Sequence, residues 1–253
     1  CKKLIVPKYA QMRSAIEAGL ENKRIELLTR ILDEGIYYAD DTKTVILGHD
    51  GRERDTLKFK ASVEIIEDDA FKGCKTIKHF DFSDYSLLKY IGISAFEKCE
   101  ALSLNFGSLP KLEVIEKRAF FDFSTPSYYD GVIDVDLSGC TALKTIKNDI
   151  FNNAKIEGVI RLPPNLEEVE EGYWNDKANK PVGAFSLESG RDVKEIDFSH
   201  CTKLKFIGMF AFAGRKIKVL NLSKCTALKN ISWYALPATS MIEFPSSIET
   251  LSK

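Results

Sequence analysis

The sequence lacks several features that identify common functional classes. No apolar run reaches the length of about eighteen residues that a membrane-spanning helix needs. The 253 residues include three histidines and no C-x-x-C pair, so neither zinc nor another cofactor is predicted. Lys and Arg number 36 against 37 Asp and Glu, which leaves a net charge of −1 and no basic field for nucleic acid. Composition therefore gives no sign of an enzyme, a nucleic-acid-binding protein or a transmembrane protein.

What the sequence does contain is a motif that repeats along most of the chain. The motif is an apolar residue, two variable residues, Ile or Val, three further residues, then a small and an aromatic residue. The period is about 24 residues, and two intervals are longer by about 7 and 14 residues. Such a period predicts a solenoid in which each repeat forms one coil. The seven copies span residues 63–71, 88–96, 112–120, 143–151, 166–174, 204–212 and 228–236, and an eighth begins at Ile248.

A second apolar element lies between successive copies of the motif. Its last positions alternate apolar and variable residues, as in a half-buried strand, and Val, Ile and Phe are abundant there. We predict one parallel strand per coil and a curved sheet of eight strands, counting one at 57–59. The element is clearest at 77–82, 132–137, 193–198 and 217–222, with looser versions at 102–106, 159–162 and 241–244.

The pattern L-x-x-I-x-x-x-A-F-x-x-C, clearest at 88–99 and 63–74, resembles the BspA-like leucine-rich repeats. The resemblance covers about residues 57–253. It implies an α/β solenoid, a right-handed superhelix with a parallel sheet and seven to eight coils. It also implies a non-enzymatic scaffold of the microbial surface, used in adhesion and in binding a protein of the host or of a neighbouring cell. The family has no shared catalytic residues to carry over.

The N-terminal 56 residues do not follow the repeat. Two apolar stripes over residues 8–34, with Gly35 as a stop, predict two short helices or one broken helix. The segments 36–38 and 45–47, separated by Asp40 and Asp41, predict a hairpin. We interpret 1–56 as a cap that covers the first coil of the repeat domain, which spans 57–253. The alternative is a separate pair of recognition helices.

Five of the six cysteines recur at fixed places in the repeat. Cys74 and Cys99 occupy one column, and the other three a second column after the strand. We expect reduced, buried thiols that fill a small apolar slot. The second column consists of Cys140, Cys201 and Cys225.

The sixth cysteine, Cys1, begins the sequence and precedes Lys2 and Lys3. This start resembles a mature bacterial lipoprotein, whose first residue is an acylated cysteine. The resemblance implies a lipid anchor and an extracellular or cell-surface location, such as the outer membrane. An arbitrary sequence boundary is the alternative.

Two surfaces are candidates for ligand binding. The first is the open face of the predicted sheet, which is polar and rather acidic and suits a basic or hydrogen-bonding partner. A solvated face that only keeps the sheet soluble is the alternative. The candidate residues on this face are Asp81, Asn105, Asp134, Asp136, Glu195, Asp197 and Asn221.

The second candidate surface consists of the two insertions, over about 121–131 and 173–190. They contain Tyr128, Tyr129, Tyr173 and Trp174, residue types that often dominate binding energy. We expect the insertions to be neighbours because they leave similar points of the coil two coils apart. In the alternative, Tyr173 and Trp174 take the small-aromatic places of the motif and Trp174 fills a widened core.

These patterns predict a non-enzymatic protein-binding or adhesion module that presents an extended surface to a protein or glycan. A structural spacer in a larger assembly is the alternative. A glycan-active enzyme fits less well, since carboxylates on an open sheet would lie in water rather than in a cleft.

Overall fold

The structure is a computed structural model and describes residues 31–39, 41–187 and 191–251. These residues form 22 strands and no helix. In chain order the strands are β1 Ile31–Asp33, β2 Ile36–Tyr38, β3 Val45–His49, β4 Arg54–Thr56, β5 Ile65–Ile66, β6 Ile77–Asp81, β7 Tyr90–Ile91, β8 Ser103–Asn105, β9 Val114–Ile115, β10 Val135–Asp136, β11 Thr145–Ile146, β12 Val159–Arg161, β13 Glu168–Val169, β14 Tyr173–Asn175, β15 Lys180–Val182, β16 Arg191–Asp192, β17 Glu195–Asp197, β18 Phe206–Ile207, β19 Arg215–Asn221, β20 Asn230–Ile231, β21 Ala238–Glu243 and β22 Thr250–Leu251.

Each coil contributes two parallel strands to the solenoid, not the single strand that the sequence predicts. The first line of strands, ribbon A, contains β5, β7, β9, β11, β13, β18, β20 and β22, which are the Ile or Val positions of the motif. The second line, ribbon B, contains β4, β6, β8, β10, β12, β17, β19 and β21. Hydrogen bonding is interrupted between β9 and β11 in ribbon A, and after β8 and β17 in ribbon B. The two-residue strands of ribbon A are too short for an alternating pattern to reveal them.

The prediction of an α/β fold is wrong for the described residues, and the turn that follows ribbon A shows why. In most coils the third and seventh residues after the motif Ile have positive φ. Left-handed residues at this spacing prevent a helix from propagating, so the segment forms consecutive turns. The third positions are Asp69, Ser94, Arg118, Asp149, Phe210 and Tyr234, and the seventh are Gly73, Lys98, Asp122, Asn153 and Gly214.

A stack of phenylalanine rings, which come from the aromatic place of the motif, fills the interior. Neighbouring rings lie 5.0–5.2 Å apart between centroids, with interplanar angles of 2–11°. The fifth ring is Phe185, so Ala184 and Phe185 take the small-aromatic places of the fifth motif copy, not Tyr173 and Trp174. The rings of this ladder belong to Phe71, Phe96, Phe120, Phe151, Phe185 and Phe212.

Strands β1, β2 and β3 extend ribbon A at its N-terminal end and form one six-stranded sheet with β5, β7 and β9. The predicted hairpin is confirmed, since β2 and β3 pair antiparallel and β3 then pairs parallel with β5. The predicted helix over 8–34 lies mostly outside the described residues, and its last part is strand β1, antiparallel to β2. Glu34 and Gly35 both have positive φ, as in a type I′ turn, and they favour a hairpin at this point. The division of the chain at residue 56 stays a prediction.

Over the residues that the structure describes, we find no helix of sufficient length and apolarity to cross a membrane.

Candidate ligand-binding surfaces

The residues predicted on the sheet face do form a column along ribbon B. Asp81 lies beside Asn105 in register on neighbouring strands. Asp136 and Asp197 flank Arg161, again at one register position. In the last coils Asn221 stands beside Glu243. The column therefore alternates acids with amides and one arginine along the solenoid axis.

These side chains also hold the turns that end the ribbon B strands. In five coils the side-chain Oδ1 accepts a hydrogen bond from the backbone N–H two residues later, an Asx turn. The five pairs are Asp81 with Ser83 N at 3.0 Å, Asn105 with Gly107 N at 2.9 Å, Asp136 with Ser138 N at 3.0 Å, Asp197 with Ser199 N at 2.8 Å and Asn221 with Ser223 N at 2.9 Å. An Asp or Asn at this place is thus explained by turn formation without a ligand.

Lateral hydrogen bonds connect the column from coil to coil. Asn105 Nδ2 donates to Asp81 Oδ1 at 2.9 Å, and Asn221 Nδ2 donates to Glu243 Oε2 at 2.6 Å. Arg161 donates to Asp136 at 3.2 Å. Burial opposes ionisation of Asp136, but hydrogen bonds from Ser138 and attraction to Arg161 outweigh it and lower the pKa of this carboxyl. These bonds make the column a fixed polar surface.

Changing Asp197 separates the role of the acceptor oxygen from that of the charge. Asp197→Ala is expected to lower the free energy of unfolding by about 1 kcal/mol, because the Ser199 N–H loses its acceptor. Asp197→Asn is expected to leave stability unchanged, since Asn105 and Asn221 make the same bond in other coils. Urea unfolding followed by circular dichroism measures both, with the exposed Glu195→Ala as control. An Asn variant as unstable as the Ala variant would contradict the Asx-turn explanation.

The other two predicted sheet-face residues have different surroundings. Asp134 Oδ1 accepts a hydrogen bond from Val159 N at 2.6 Å, so it also joins two coils. Glu195 is exposed and, with Asn221, lines a groove of about 620 Å³ where the hydrogen bonding between β17 and β19 is interrupted. Lys194, Lys216 and Lys218 line the same groove. Ligand binding on this face stays a prediction.

The two insertions line separate clefts, and the pooling of their aromatic residues in one binding surface stays a prediction. Tyr128, which is 80% exposed, and Tyr129 belong to the loop after Phe123, and Tyr129 lines a cleft of about 230 Å³ with Lys155 and Glu157. The second insertion begins earlier in its coil, after Val169, and contains the antiparallel hairpin of β14 and β15. Tyr173 and Trp174 are exposed on this hairpin, so the alternative in which Trp174 fills a widened core is wrong.

Trp174 lines an apolar cleft with aromatic residues from the next two coils. Its ring centroid lies 6.0 Å from that of Phe210, which lies 5.7 Å from that of Tyr234. Phe210 is 8% exposed and forms the floor, whereas Trp174 and Tyr234 are 46% and 71% exposed. The cleft, which Pro181 and Ala213 complete, has a volume of about 420 Å³. We call it the aromatic cleft.

Sequence reasoning missed Phe210 and Tyr234, although a signal for both was present. They occupy the third position after the motif Ile, where the φ angles are 59° and 53°. Four earlier coils have Asp, Ser or Arg at this place. A bulky aromatic residue in the left-handed region is an outlier, and such outliers concentrate at functional sites. Aligning this column across the repeats would have identified both residues.

A charged network lies along the same turns in the earlier coils. Arg118 donates to the buried carboxylate of Glu97 at 3.1 and 3.2 Å, and it pairs with Asp149 at 3.5 Å. Burial of Glu97 opposes ionisation, but Arg118, Ser94 and Lys72 outweigh it and lower its pKa to about 2. Burial raises the pKa of Asp149. The Arg118 guanidinium also lies 3.8 Å above the ring of Phe121.

The five cysteines in the described residues are free and buried, as the sequence predicts. Burial raises the pKa values of Cys140, Cys201 and Cys225 to about 12, and it also raises that of Cys99. These four thiols are therefore poor nucleophiles. Cys1 lies outside the described residues, so its acylation stays a prediction.

Cys74 differs from the other thiols because His49 is close to it. Burial opposes ionisation of Cys74, but hydrogen bonding from His49 outweighs it and lowers the pKa. The ring of His49 stacks on that of Phe71 with 5.3 Å between the ring centroids and extends the ladder. Cys74 is only 3% exposed, which keeps solutes away from its sulfur. Within the described residues, no group of three or more His, Cys, Asp or Glu side chains is placed to hold a metal ion.

Comparison with known proteins identifies the repeat. The model of the BspA type leucine rich repeat region matches residues 53–180 and 178–253, with six copies. No curated protein matches the chain. A crystal structure of a leucine-rich repeat protein from Bacteroides ovatus is similar at 17% sequence identity over 77% of this chain and 73% of that one. Its TM-score is 0.19.

Proposed function

This chain belongs to the family of BspA-type leucine-rich repeat proteins, and we propose from this membership that it is a non-enzymatic protein-binding module that acts in adhesion at the cell surface. Solenoids present long, open surfaces made from many coils, and such surfaces suit extended contacts with another protein. The partner in this proposal is a protein of the host or of a neighbouring cell.

The observation that carries the proposal is the exposure of large aromatic residues around the aromatic cleft. Tyr173 and Trp174 project from the hairpin, and Trp233 and Tyr234 project from a later coil. Trp and Tyr bury much area for little loss of conformational entropy, so they are enriched where most of the binding energy of an interface is concentrated. Their exposure next to one another on a rigid solenoid is costly in water and favours contact with a partner.

The surroundings of the acidic groups support a non-enzymatic role. A glycan-active enzyme would need two accessible carboxyl groups on either side of a substrate. Here Glu97 and Asp149 are buried and share Arg118. The carboxylates of Asp136 and Asp197 accept hydrogen bonds from backbone N–H groups in the turns that follow the strands of ribbon B. Each of these groups therefore has a structural task that competes with acid–base catalysis.

A binding screen with matched variants tests the proposal. The purified chain is applied to an array of extracellular and cell-surface proteins and to a glycan array. We expect saturable binding to a protein, weakened at least about tenfold by Trp174→Ala with Tyr234→Ala. The control, Asp136→Asn with Asp197→Asn, keeps the Asx turns and removes two charges from the sheet face. We expect it to bind as the parent does.

Three results would contradict the proposal in different ways. Folded protein that binds nothing on either array would favour the structural spacer. Binding to glycans alone would replace the protein ligand with a carbohydrate. Loss of binding in the Asn control, with normal binding by the aromatic variant, would move the site to the sheet face of ribbon B.

A further inference from the structure

We propose that the aromatic cleft binds the guanidinium group of an arginine side chain on the partner protein. This inference rests on the proposed function and adds the chemistry that the partner must present. Four features support it: the arrangement of the rings, a carboxylate hydrogen-bonded to the turns that carry two of them, the backbone conformation of two lining residues, and an arginine that the solenoid binds in a similar way.

The rings offer two exposed π-faces above an apolar floor. Phe210 forms the floor, and its ring plane lies 13° from that of Tyr234 and 51° from that of Trp174. The faces of Trp and Tyr carry negative electrostatic potential and attract cations, with Trp the strongest. Pro181, opposite Trp174 in the hairpin, and Ala213 complete the lining without adding charge.

Glu171 does not line the cleft, but its carboxylate is hydrogen-bonded to the two turns that carry Phe210 and Tyr234 and adds a negative charge there. Glu171 accepts hydrogen bonds from Met209 N through Oε2 and from Ser232 Oγ through Oε1, the latter at 2.6 Å. Met209 directly precedes Phe210, and Ser232 lies two residues before Tyr234, so the negative charge is anchored beside the rings.

The cleft is preorganised at a cost in backbone strain. Phe210 and Tyr234 both have left-handed φ angles, which bulky residues rarely adopt. Gly172 fixes the base of the hairpin, because its N–H donates to Met209 O at 2.8 Å and a Cβ there would collide with the carbonyl oxygens of Val182 and Met209. A rigid cleft loses little entropy when a ligand binds.

The solenoid itself contains a guanidinium in a comparable setting. Arg118 occupies the same column as Phe210 and Tyr234, lies 3.8 Å above the ring of Phe121 and pairs with the carboxylates of Glu97 and Asp149. A planar guanidinium stacks on aromatic faces and is weakly hydrated, so it suits an open cleft better than an ammonium group does. A sugar would need several convergent hydrogen-bonding side chains, whereas only Trp174 and Tyr234 offer polar atoms among the five lining side chains.

The test uses a short peptide, acetyl-Gly-Ser-Arg-Ser-Gly-amide, and the same peptide with citrulline, which is neutral and nearly isosteric with arginine. The chain has two tryptophans, so Trp233→Phe leaves Trp174 as the fluorescent reporter. We expect saturable quenching by the arginine peptide and binding about tenfold weaker for the citrulline peptide. Added salt should weaken binding of the arginine peptide more than that of the citrulline peptide.

Matched variants on the Trp233→Phe background locate the effect. Tyr234→Ala is expected to weaken binding about fivefold, and Glu171→Gln, which keeps an acceptor oxygen, by a similar factor. Tyr128→Ala, which removes an even more exposed aromatic side chain from the other insertion, should leave binding of the arginine peptide unchanged. Equal affinity for the arginine and citrulline peptides, or equal losses in Tyr128→Ala and Tyr234→Ala, would overturn the inference.

The inference and the proposed function fail in distinguishable ways. If a protein on the array binds the chain but binding is unaffected by Glu171→Gln and the arginine peptide does not quench Trp174, the arginine site is refuted and the binding module stands. If the arginine peptide binds and no protein does, the cleft chemistry is supported and the proposed function is refuted.

Discussion

Replacing Phe96 with alanine is expected to lower the free energy of unfolding by about 4 kcal/mol. Phe96 is fully buried and stacks between Phe71 and Phe120 at centroid distances of 5.1 and 5.0 Å. It also meets Phe80 and Phe82 edge-on at 5.2 and 5.6 Å. Alanine removes these contacts and leaves a cavity between ribbon A and ribbon B, which the hydrogen-bonded strands cannot close. Because each coil contacts only its neighbours, the loss also weakens the coupling between the coils on either side.

Urea unfolding followed by circular dichroism measures this change. Phe244→Ala serves as the matched control, since Phe244 is 41% exposed and should cost well under about 1 kcal/mol. Phe96→Leu should fall between the two, because it retains part of the buried volume. A reduced slope of the transition would show that the two halves of the solenoid unfold separately. A stable Phe96→Ala variant would contradict the ladder as the main stabilising element.

Replacing Arg215 with alanine is expected to cost about 4 kcal/mol of stability as well, for a different reason. Arg215 is a fully buried side chain whose guanidinium donates to Phe185 O at 2.8 Å, Ile156 O at 2.8 Å and Ala154 O at 2.7 Å. These carbonyls belong to the two coils before its own. Its loss takes donors away from buried backbone oxygens in a region of low dielectric.

Two further variants separate hydrogen bonding from packing at this position. Arg215→Met keeps most of the apolar stem, so a loss of about 2–3 kcal/mol in this variant reports the missing donors. Lys216→Ala, one residue along β19 and exposed, is the control and should be neutral. Full stability of Arg215→Met in urea unfolding would show that the three hydrogen bonds make no net contribution.

Several elements were predictable because they repeat. Phe71, Phe96, Phe120, Phe151 and Phe212 recur at one place in each period, and burial at that place is the simplest reason for an unbroken aromatic column. The cysteine columns follow from the same argument. The polar column of ribbon B was also visible, but its Asx turns were not, because the hydrogen-bonded geometry of a turn leaves only a weak trace in residue identity.

The insertions show where sequence reasoning failed. Tyr173 and Trp174 stand at the regular spacing of the motif, whereas Ala184 and Phe185 match its small and aromatic residues further along the chain. In the structure Phe185 occupies the ladder, and the centroid of its ring lies 5.1 Å from that of Phe151 and 5.2 Å from that of Phe212. This arrangement leaves Trp174 on the hairpin surface.

The sequence by itself determined the coil: its period, its buried ladders and the order of its turns, because each is a local pattern repeated often enough to be unambiguous. Only the tertiary structure decided that each coil has two strands and no helix in the described residues. The turn positions with positive φ are occupied by many different residue types, so the sequence does not reveal them. The tertiary structure alone also assembled the aromatic cleft. Trp174, Phe210 and Tyr234 are far apart in the chain, and they meet because stacking places three successive coils side by side.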